Sequence, residues 1–301
     1  MRILTWAVFV GVALLAVLFV VGTVLARRYE TVERATAPSD PETRFLQTRS
    51  GRVHLLDLGE GDVILLAHGT GRSVADWQEG FAERLARTHR VVGFDYYGHG
   101  LSDRDHGLGT GFPLWARQAI DVLDALKIER VALLMGHSVG GTVAACVAAD
   151  NPERVDRVVL VGNGMAMDPV QMVPFVPGLG EFSMGRTRIF STIFSPEHER
   201  RLAFAYSIRG TRKALLAYIR RTYVWDGIRL LHGTYEDIQA PALQAHGTLD
   251  ASISIEAARR LSPRIRDTRF VAFEGASHDV HIDAPDALAA RIESFIAETP
   301  R

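Results

Sequence analysis

The chain has 301 residues, enough for one large core or a core with a sizeable insertion and for little more. Its formal net charge of -1 and pI near 6.8 provide no basic field that would gather nucleic acid or acidic lipid over the whole surface. A single cysteine, Cys146, excludes an internal disulfide framework and any CxxC redox or metal pair, and reads as a small buried apolar residue.

Residues 3–26 carry no charge and are dominated by Val, Leu, Ala and Phe. About 20 apolar residues at a rise of 1.5 Å cover the roughly 30 Å hydrocarbon core of a bilayer, whereas a secretory apolar region runs to about 7–15 residues. Residues 1–26 are therefore expected to form a single-pass membrane anchor, with Trp6 and Tyr29 suited to the two interfaces. A run apolar on all faces does not suit a half-buried helix of a soluble core. A cleavable signal peptide is the alternative, with Val24 and Ala26 as small residues before the cut. Arg27 and Arg28 outweigh Arg2 and lean toward a cytoplasmic location for the rest of the chain, a margin that the N-terminal amine cancels.

Residues 27–44 are polar, include Pro38, Ser39, Asp40 and Pro41, and read as a linker. From Phe45 onward come eight short apolar runs, at 45–48, 53–58, 63–67, 91–94, 131–135, 158–161, 243–245 and 270–273. Runs this short and this apolar suit strands buried on both faces. Ser50 and Gly51 join the first two as a hairpin, and helix-period stretches such as 115–126 separate later ones. The order predicts an α/β fold with a mostly parallel eight-stranded sheet, helix-covered, with an antiparallel start. Residues 165–239 hold no convincing strand and are rich in Met, Phe, Pro and Arg. They are expected to form a helical cap inserted between a first core part, 45–164, and a second, 240–301. Because the core motifs begin only after Phe45, a chain shortened to start near Thr36 is expected to be soluble and active.

Gly136-His137-Ser138-Val139-Gly140-Gly141 follows the fifth run and opens a small-residue helix over 142–149. This is a G-x-S-x-G nucleophile elbow in its strand-turn-helix setting, which makes Ser138 the candidate nucleophile. Serine at its own pKa is weak and needs a base within hydrogen-bond reach and a third group to orient that base. His246-Gly247-Thr248-Leu249-Asp250 follows one later run and Gly275-Ala276-Ser277-His278 the next, both just past strand C-terminal ends. Asp250 and His278 are the expected acid and base; His281 is the rival base and Asp168 the rival acid. His68-Gly69-Thr70-Gly71 follows the third run, and its Thr70 N–H, with that of Val139, is the expected oxyanion hole. No Lys-Ser/Thr follows these glycines, so they form no phosphate loop.

Together with Asp95-Tyr96-Tyr97-Gly98-His99-Gly100-Leu101-Ser102, these motifs resemble the α/β-hydrolase superfamily over about residues 45–301, in its capped esterase, lipase and carbon–carbon-bond hydrolase branch. The resemblance implies that Asp95 to Ser102 is a structural loop beside the site, so neither Asp95 nor His99 takes a catalytic role. Ser138 stands where similar dehalogenases and epoxide hydrolases use aspartate, which argues against those activities. The expected function is a serine hydrolase acting on a carboxylic ester of an apolar small-molecule or lipid-like substrate, of the carboxylesterase or lipase kind. No metal or organic cofactor is expected, since neither clustered metal ligands nor a dinucleotide fingerprint occurs. Carbon–carbon cleavage of a diketone-like substrate is a second enzyme reading. A membrane-tethered binding or signalling module without turnover is a third, from a different class. In the cap, Met165, Met167, Met172, Phe175, Phe182, Met184, Phe190 and Phe194 either line an apolar pocket or form the cap's own core. Arg186, Arg188, Arg200, Arg201, Arg209, Arg212, Arg220 and Arg221 read as solvated helix faces, some against lipid headgroups.

Overall fold

The computed structural model describes residues 2–33, 42–78, 80–104, 111–164, 173, 175–185, 203–221 and 233–299. The elements in chain order are α1 (Arg2–Tyr29), β1 (Thr43–Thr48), β2 (Gly51–Leu58), β3 (Val63–Ala67), α2 (Phe81–Leu85), β4 (Arg90–Phe94) and α3 (Phe112–Ala125). Then come β5 (Leu133–His137), α4 (Val139–Asp150), β6 (Val158–Val161), α5 (Leu179–Gly185), α6 (Thr211–Arg221) and β7 (Ala242–Gly247). The chain closes with α7 (Ile255–Leu261), β8 (Thr268–Phe273), α8 (Val280–Asp283) and α9 (Pro285–Glu298).

The eight strands form one sheet in the order β1-β2-β4-β3-β5-β6-β7-β8. β1 pairs antiparallel with β2 and β2 antiparallel with β4, and every later pairing is parallel. Parallel strands need crossover helices, and these cover both faces, so central strands such as Val63–Ala67 and Val158–Val161 are apolar and buried throughout. Two apolar clusters result. One lies under α3 and α4 around Trp115, Phe94 and Leu134; the other lies under α2 and α9 around Trp77, Phe81 and Phe295.

Helix α1 has a stretch, Val8–Tyr29, of mean hydropathy 2.9 that is only 6 % buried, and it is long and apolar enough to cross a membrane by length and composition. It packs along α5. Its C-terminal end departs from the expected free linker. Val32 bridges to Ile208, and the Glu30 carboxylate accepts the N–H groups of Gly210 and Arg212 at the start of α6.

Within 165–239 the described residues hold α5, a helical turn at 203–207, α6 and turns, with Ile208 in an isolated bridge. Met184 is 3 % exposed and sits in the core cluster, and Phe175 packs against that cluster, so both belong to packing. Arg212 corrects the expectation of solvated arginines: it is buried, and its guanidinium donates to the Met184 carbonyl. Arg209 pairs with Glu33 at 2.9 Å and Arg220 with Glu181 at 2.8 Å. Met165, Met167, Asp168, Met172, Arg186, Arg188, Phe190, Phe194, Arg200 and Arg201 lie outside the described residues.

Candidate active site

Strand β5 ends at His137, and helix α4 begins at Val139, so Ser138 alone makes the turn. Its backbone has φ 53° and ψ -119°, a conformation that costs a non-glycine residue energy and that persists only when its surroundings fix it. Ser138 N–H donates to the Val161 carbonyl at 2.8 Å, and its own carbonyl accepts from Asn163 Nδ2 at 2.8 Å. A Cβ on Gly136 would run into the Gly140 backbone, and one on Gly140 into the carbonyls of Ala67 and His68. Only glycine lets the strand, the turn and the His68–Gly71 loop approach this closely.

That close approach lays the loop carrying Thr70 beside the N-terminus of α4, where Val139 is the first helical residue. Unpaired N–H groups and the helix dipole there favour negative charge. His68 anchors the loop: it is fully buried, and its ring nitrogens engage the Gly69 carbonyl at 2.8 Å and the Tyr96 N–H at 3.1 Å. Burial lowers its pKa to about 4, so it stays neutral.

Asp250 follows β7 and His278 follows β8, and His278 Nδ1 donates to Asp250 Oδ2 at 2.8 Å. The other oxygen, Oδ1, accepts the N–H groups of Ser252 and Ile253, both at 2.8 Å. Burial raises the Asp250 pKa; the His278 hydrogen bond and charge, the Ile253 N–H and His246 outweigh it, and the carboxyl rests below its usual range. His278 lies against Gly162, the residue after the Val161 carbonyl that holds Ser138, with its imidazole 4.8 Å from that of His137. Ser138, His278 and Asp250 are thus brought to neighbouring strand ends on one edge of the sheet. Among the described residues Ser138 Oγ makes no hydrogen bond to His278, a contact that in ligand-free sites tightens when substrate binds.

The rival base is placed elsewhere. His281 is buried against Trp77 at 4.7 Å and His137 at 4.6 Å, inside the second apolar cluster. Asp95 and His99 lie in the loop after β4. Asp95 accepts from Val74 N–H, Leu101 N–H and His54, and it braces that loop. Burial raises its pKa, but the charge and hydrogen bond of His54 bring it down to about 2.

Four supporting residues escaped the sequence reading. Asn163, just beyond β6, holds the Ser138 carbonyl and also donates to Thr142; a polar residue past a strand end was a usable signal. His137 and Asp279 flank the candidate nucleophile and base and meet at 3.4 Å, with Arg72 on Asp279 at 2.6 Å and on Asp76 at 2.9 Å. Nothing in the spacing marks Arg72. His137, Asp279 and His281 could by distance share a metal ion, but the Arg72 guanidinium already occupies Asp279 and opposes a second cation there.

A family model described as alpha/beta hydrolase fold matches residues 62–204. A 2-hydroxymuconate semialdehyde hydrolase of Pseudomonas putida is 30% identical over 265 residues, covering 82% of this chain and 91% of the relative. The chain belongs to the α/β-hydrolase superfamily. It is a hydrolase of that fold, and its likeness includes the carbon–carbon hydrolase-like branch. Among solved structures, a meta-cleavage product hydrolase from Pseudomonas fluorescens superposes with a TM-score of 0.71 at 22% identity, over 87% of this chain and all of that one. A bacterial membrane phospholipase A superposes with a TM-score of 0.66 at 22% identity over 99% of both chains, so that likeness of fold extends over α1.

Proposed function

We propose that the chain hydrolyses a carboxylic ester of an apolar small-molecule or lipid-like substrate through an acyl intermediate on Ser138. The observation that carries this reading is the 2.8 Å Asp250–His278 hydrogen bond beside a serine held at φ 53°. His278 Nε2 takes the hydroxyl proton as Ser138 Oγ adds to the carbonyl carbon, and Asp250 stabilises the imidazolium. The N–H groups of Thr70 and Val139 receive the oxyanion. Collapse expels the alcohol, which takes the proton from His278, and a water activated by the same histidine then releases the acid. The scheme requires neither metal nor organic cofactor.

Residues 1–26 serve in this reading as a single-pass membrane anchor, 165–239 as the cap, and 45–164 with 240–301 as the hydrolase core. The exposed apolar face of α1 supports the anchor, and the fold shared with a membrane phospholipase over 99% of the chain supports a lipid-like substrate. Carbon–carbon cleavage is the second reading, favoured by the substrate in the name of the Pseudomonas putida relative.

The test offers detergent-solubilised protein para-nitrophenyl esters of about two to eight acyl carbons and, separately, 2-hydroxymuconate semialdehyde. Ester turnover that Ser138→Ala abolishes is expected, rising with acyl length because each buried methylene contributes roughly 0.8 kcal/mol. Turnover of the semialdehyde alone would replace the ester by a carbon–carbon bond. A fluorophosphonate adduct on Ser138 without turnover of any substrate would make the protein a binding module.

A further inference from the structure

Along the middle of α1, from Val8 to Gly22, every position is exposed except Leu15, Leu18 and Gly22. Steps of three and four residues put these on one side of the helix, and that side lies against α5 and the turn before it. The fit is close at two glycines. Gly22 is buried, and a Cβ on it would run into the Glu181 backbone; a Cβ on Gly178, at φ +88°, would run into the Leu15 carbonyl. Small residues that let backbones approach in this way join helices inside a bilayer. A helix acting only as a tether has no need of such a seat.

The seat fixes a depth. From Arg27, the first charge after the apolar run, back to Leu15 is about 18 Å along an α-helix. A tilt of about 40° still leaves about 14 Å, well inside a hydrocarbon core roughly 30 Å thick. Gly178 meets α1 at that level, and just before it come Val173 and Val176, apolar side chains each 37 % exposed. The backbone there is suited to lipid: the N–H groups of Val176, Gly180 and Phe182 donate to the carbonyls of Val173, Val176 and Gly178, and Pro177 has no N–H to satisfy. The one acid of α5, Glu181, meets α1 at Gly22, only about 8 Å from the Arg27 level. Its carboxylate is neutralised by two hydrogen bonds from Arg220, at 2.8 and 3.1 Å.

We propose that α1 holds the cap around Gly178 inside the bilayer, with lipid acyl chains covering Val173 and Val176, so that anchor and cap form one membrane-embedded unit. The inference rests on the reading of α1 as an anchor and goes beyond it in placing the cap. Lipid is the occupant because of continuity: α1 is apolar and exposed on its remaining faces, and the two valines directly precede the glycine that meets Leu15. The immersed part is packed into the rest of the fold. Met184 of α5 shares a core cluster with Tyr206 and Leu215, and those two residues rest against Gly71, next to Thr70.

The test uses the full chain with Cys146→Ala, reconstituted in phosphatidylcholine vesicles and carrying a nitroxide on one introduced cysteine. The positions are Val176→Cys in the cap, Val17→Cys on an exposed face of α1, and Glu60→Cys in the exposed loop between β2 and β3. Oxygen partitions into hydrocarbon and a polar nickel chelate stays in water, so the ratio of their collision rates with the label reads its surroundings whatever the local crowding. Expected is a ratio at Val176 within about twofold of that at Val17 and at least about fivefold above that at Glu60. Adding Gly22→Leu, which unseats α1, should lower the Val176 ratio toward that of Glu60 and leave Val17 unchanged. A Val176 ratio as low as that of Glu60, beside a high one at Val17, overturns the proposal and leaves the anchor standing; low ratios at both defeat the anchor reading itself. A Val176 ratio that survives Gly22→Leu shows that α1 does not hold the cap and overturns the proposal as well. Spin–spin broadening at Val176 that fades on dilution with unlabelled protein would put a second copy of the chain on the valines in place of lipid.

Discussion

Arg72 Nη2 and Asp279 Oδ1 lie 2.6 Å apart, a buried ion pair that closes a sequence gap of 207 residues. Arg72 is next to Gly71 of the loop bearing Thr70, and Asp279 is next to His278, so the pair ties the proposed oxyanion loop to the proposed base. His137, next to Ser138, completes the junction at 3.4 Å from Asp279. One charge cluster beneath the site thus holds the sequence neighbours of Ser138 and His278 and reaches the loop of Thr70. Removing one member leaves an uncompensated buried charge: Asp279→Ala should cost about 3 kcal/mol, near the low end of the usual range because Asp76 still meets Arg72. Arg72→Met combined with Asp279→Leu should cost clearly less than the two single changes added together. Urea unfolding at constant slope measures the cycle, and strict additivity would show that the pair is uncoupled.

The ranking of candidate groups is open to a direct kinetic check. Ser138→Ala and His278→Ala should each remove essentially all turnover, because members of such a set act as a unit. Asp250→Asn should lose about 10⁴ in kcat through loss of the imidazolium partner. His281→Ala should instead lower stability by about 2–5 kcal/mol, since the ring fills space between Trp77 and His137, and keep most of the activity of the protein that remains folded. Loss of turnover in His281→Ala with a stable fold, together with an active His278→Ala, would move the base.

Stability should fall on the acid side of neutrality. His68 and His137 are buried and neutral; burial holds the first at a pKa of about 4 and the second well below the usual imidazole range, where Arg72, His281 and His278 add to the effect. In the unfolded chain both take a proton near pH 6.5, so between there and about pH 4 the unfolded state binds more protons and gains on the folded one. For His68 alone this amounts to roughly 3 kcal/mol. Asp250, held below its usual range, adds a loss at still lower pH, as its carboxylate is protonated. Urea midpoints measured from pH 7.5 down to 4.5 should decline steadily, and a flat profile would contradict the neutral buried imidazoles.

The strands were legible in sequence because a strand buried on both faces leaves an uninterrupted apolar run, as at Val63–Ala67 and Val158–Val161. Polar residues hid the ends. β5 was expected over 131–135 and runs Leu133–His137, because the His137 ring is buried and bonded to the His278 carbonyl, while Val131 makes only an isolated bridge. Helix α4 starts at Val139 rather than 142, since Gly140 and Gly141, weak helix formers, are there for want of room: Gly140 abuts Ala67, and Gly141 abuts Asn163. The candidates Ser138, Asp250 and His278 stand out in the sequence because each follows a strand. Arg72 and Asp279 do not, because what distinguishes them is whom they meet across the fold. The same limit applies to Glu30, which looks in sequence like any charged linker residue.

Glu30 bears on where the soluble domain begins. Its carboxylate accepts Gly210 N–H at 2.9 Å and Arg212 N–H at 2.8 Å, placing a negative charge on the otherwise unpaired N–H groups that open α6. Beside it, Val32 N–H donates to the Ser207 carbonyl at 3.0 Å, and Arg209 N–H donates to the Val32 carbonyl at 2.9 Å. Residues 30–32 therefore hold the segment that carries Tyr206 and Leu215 over the Gly71 loop. A chain shortened to start at Thr36 loses all four bonds, whereas one starting at Arg27 keeps them and lacks most of the apolar run. The expectation that a chain starting near Thr36 is soluble and active takes no account of these four bonds. The Arg27 chain should be more stable by about 1–2 kcal/mol, the worth of a charged helix cap, and should retain more turnover at 37 °C. Glu30→Ala placed in the Arg27 chain should reproduce most of the difference. Equal urea midpoints for the Arg27 and Thr36 chains would show that residues 30–32 touch the segment 207–212 without stabilising it.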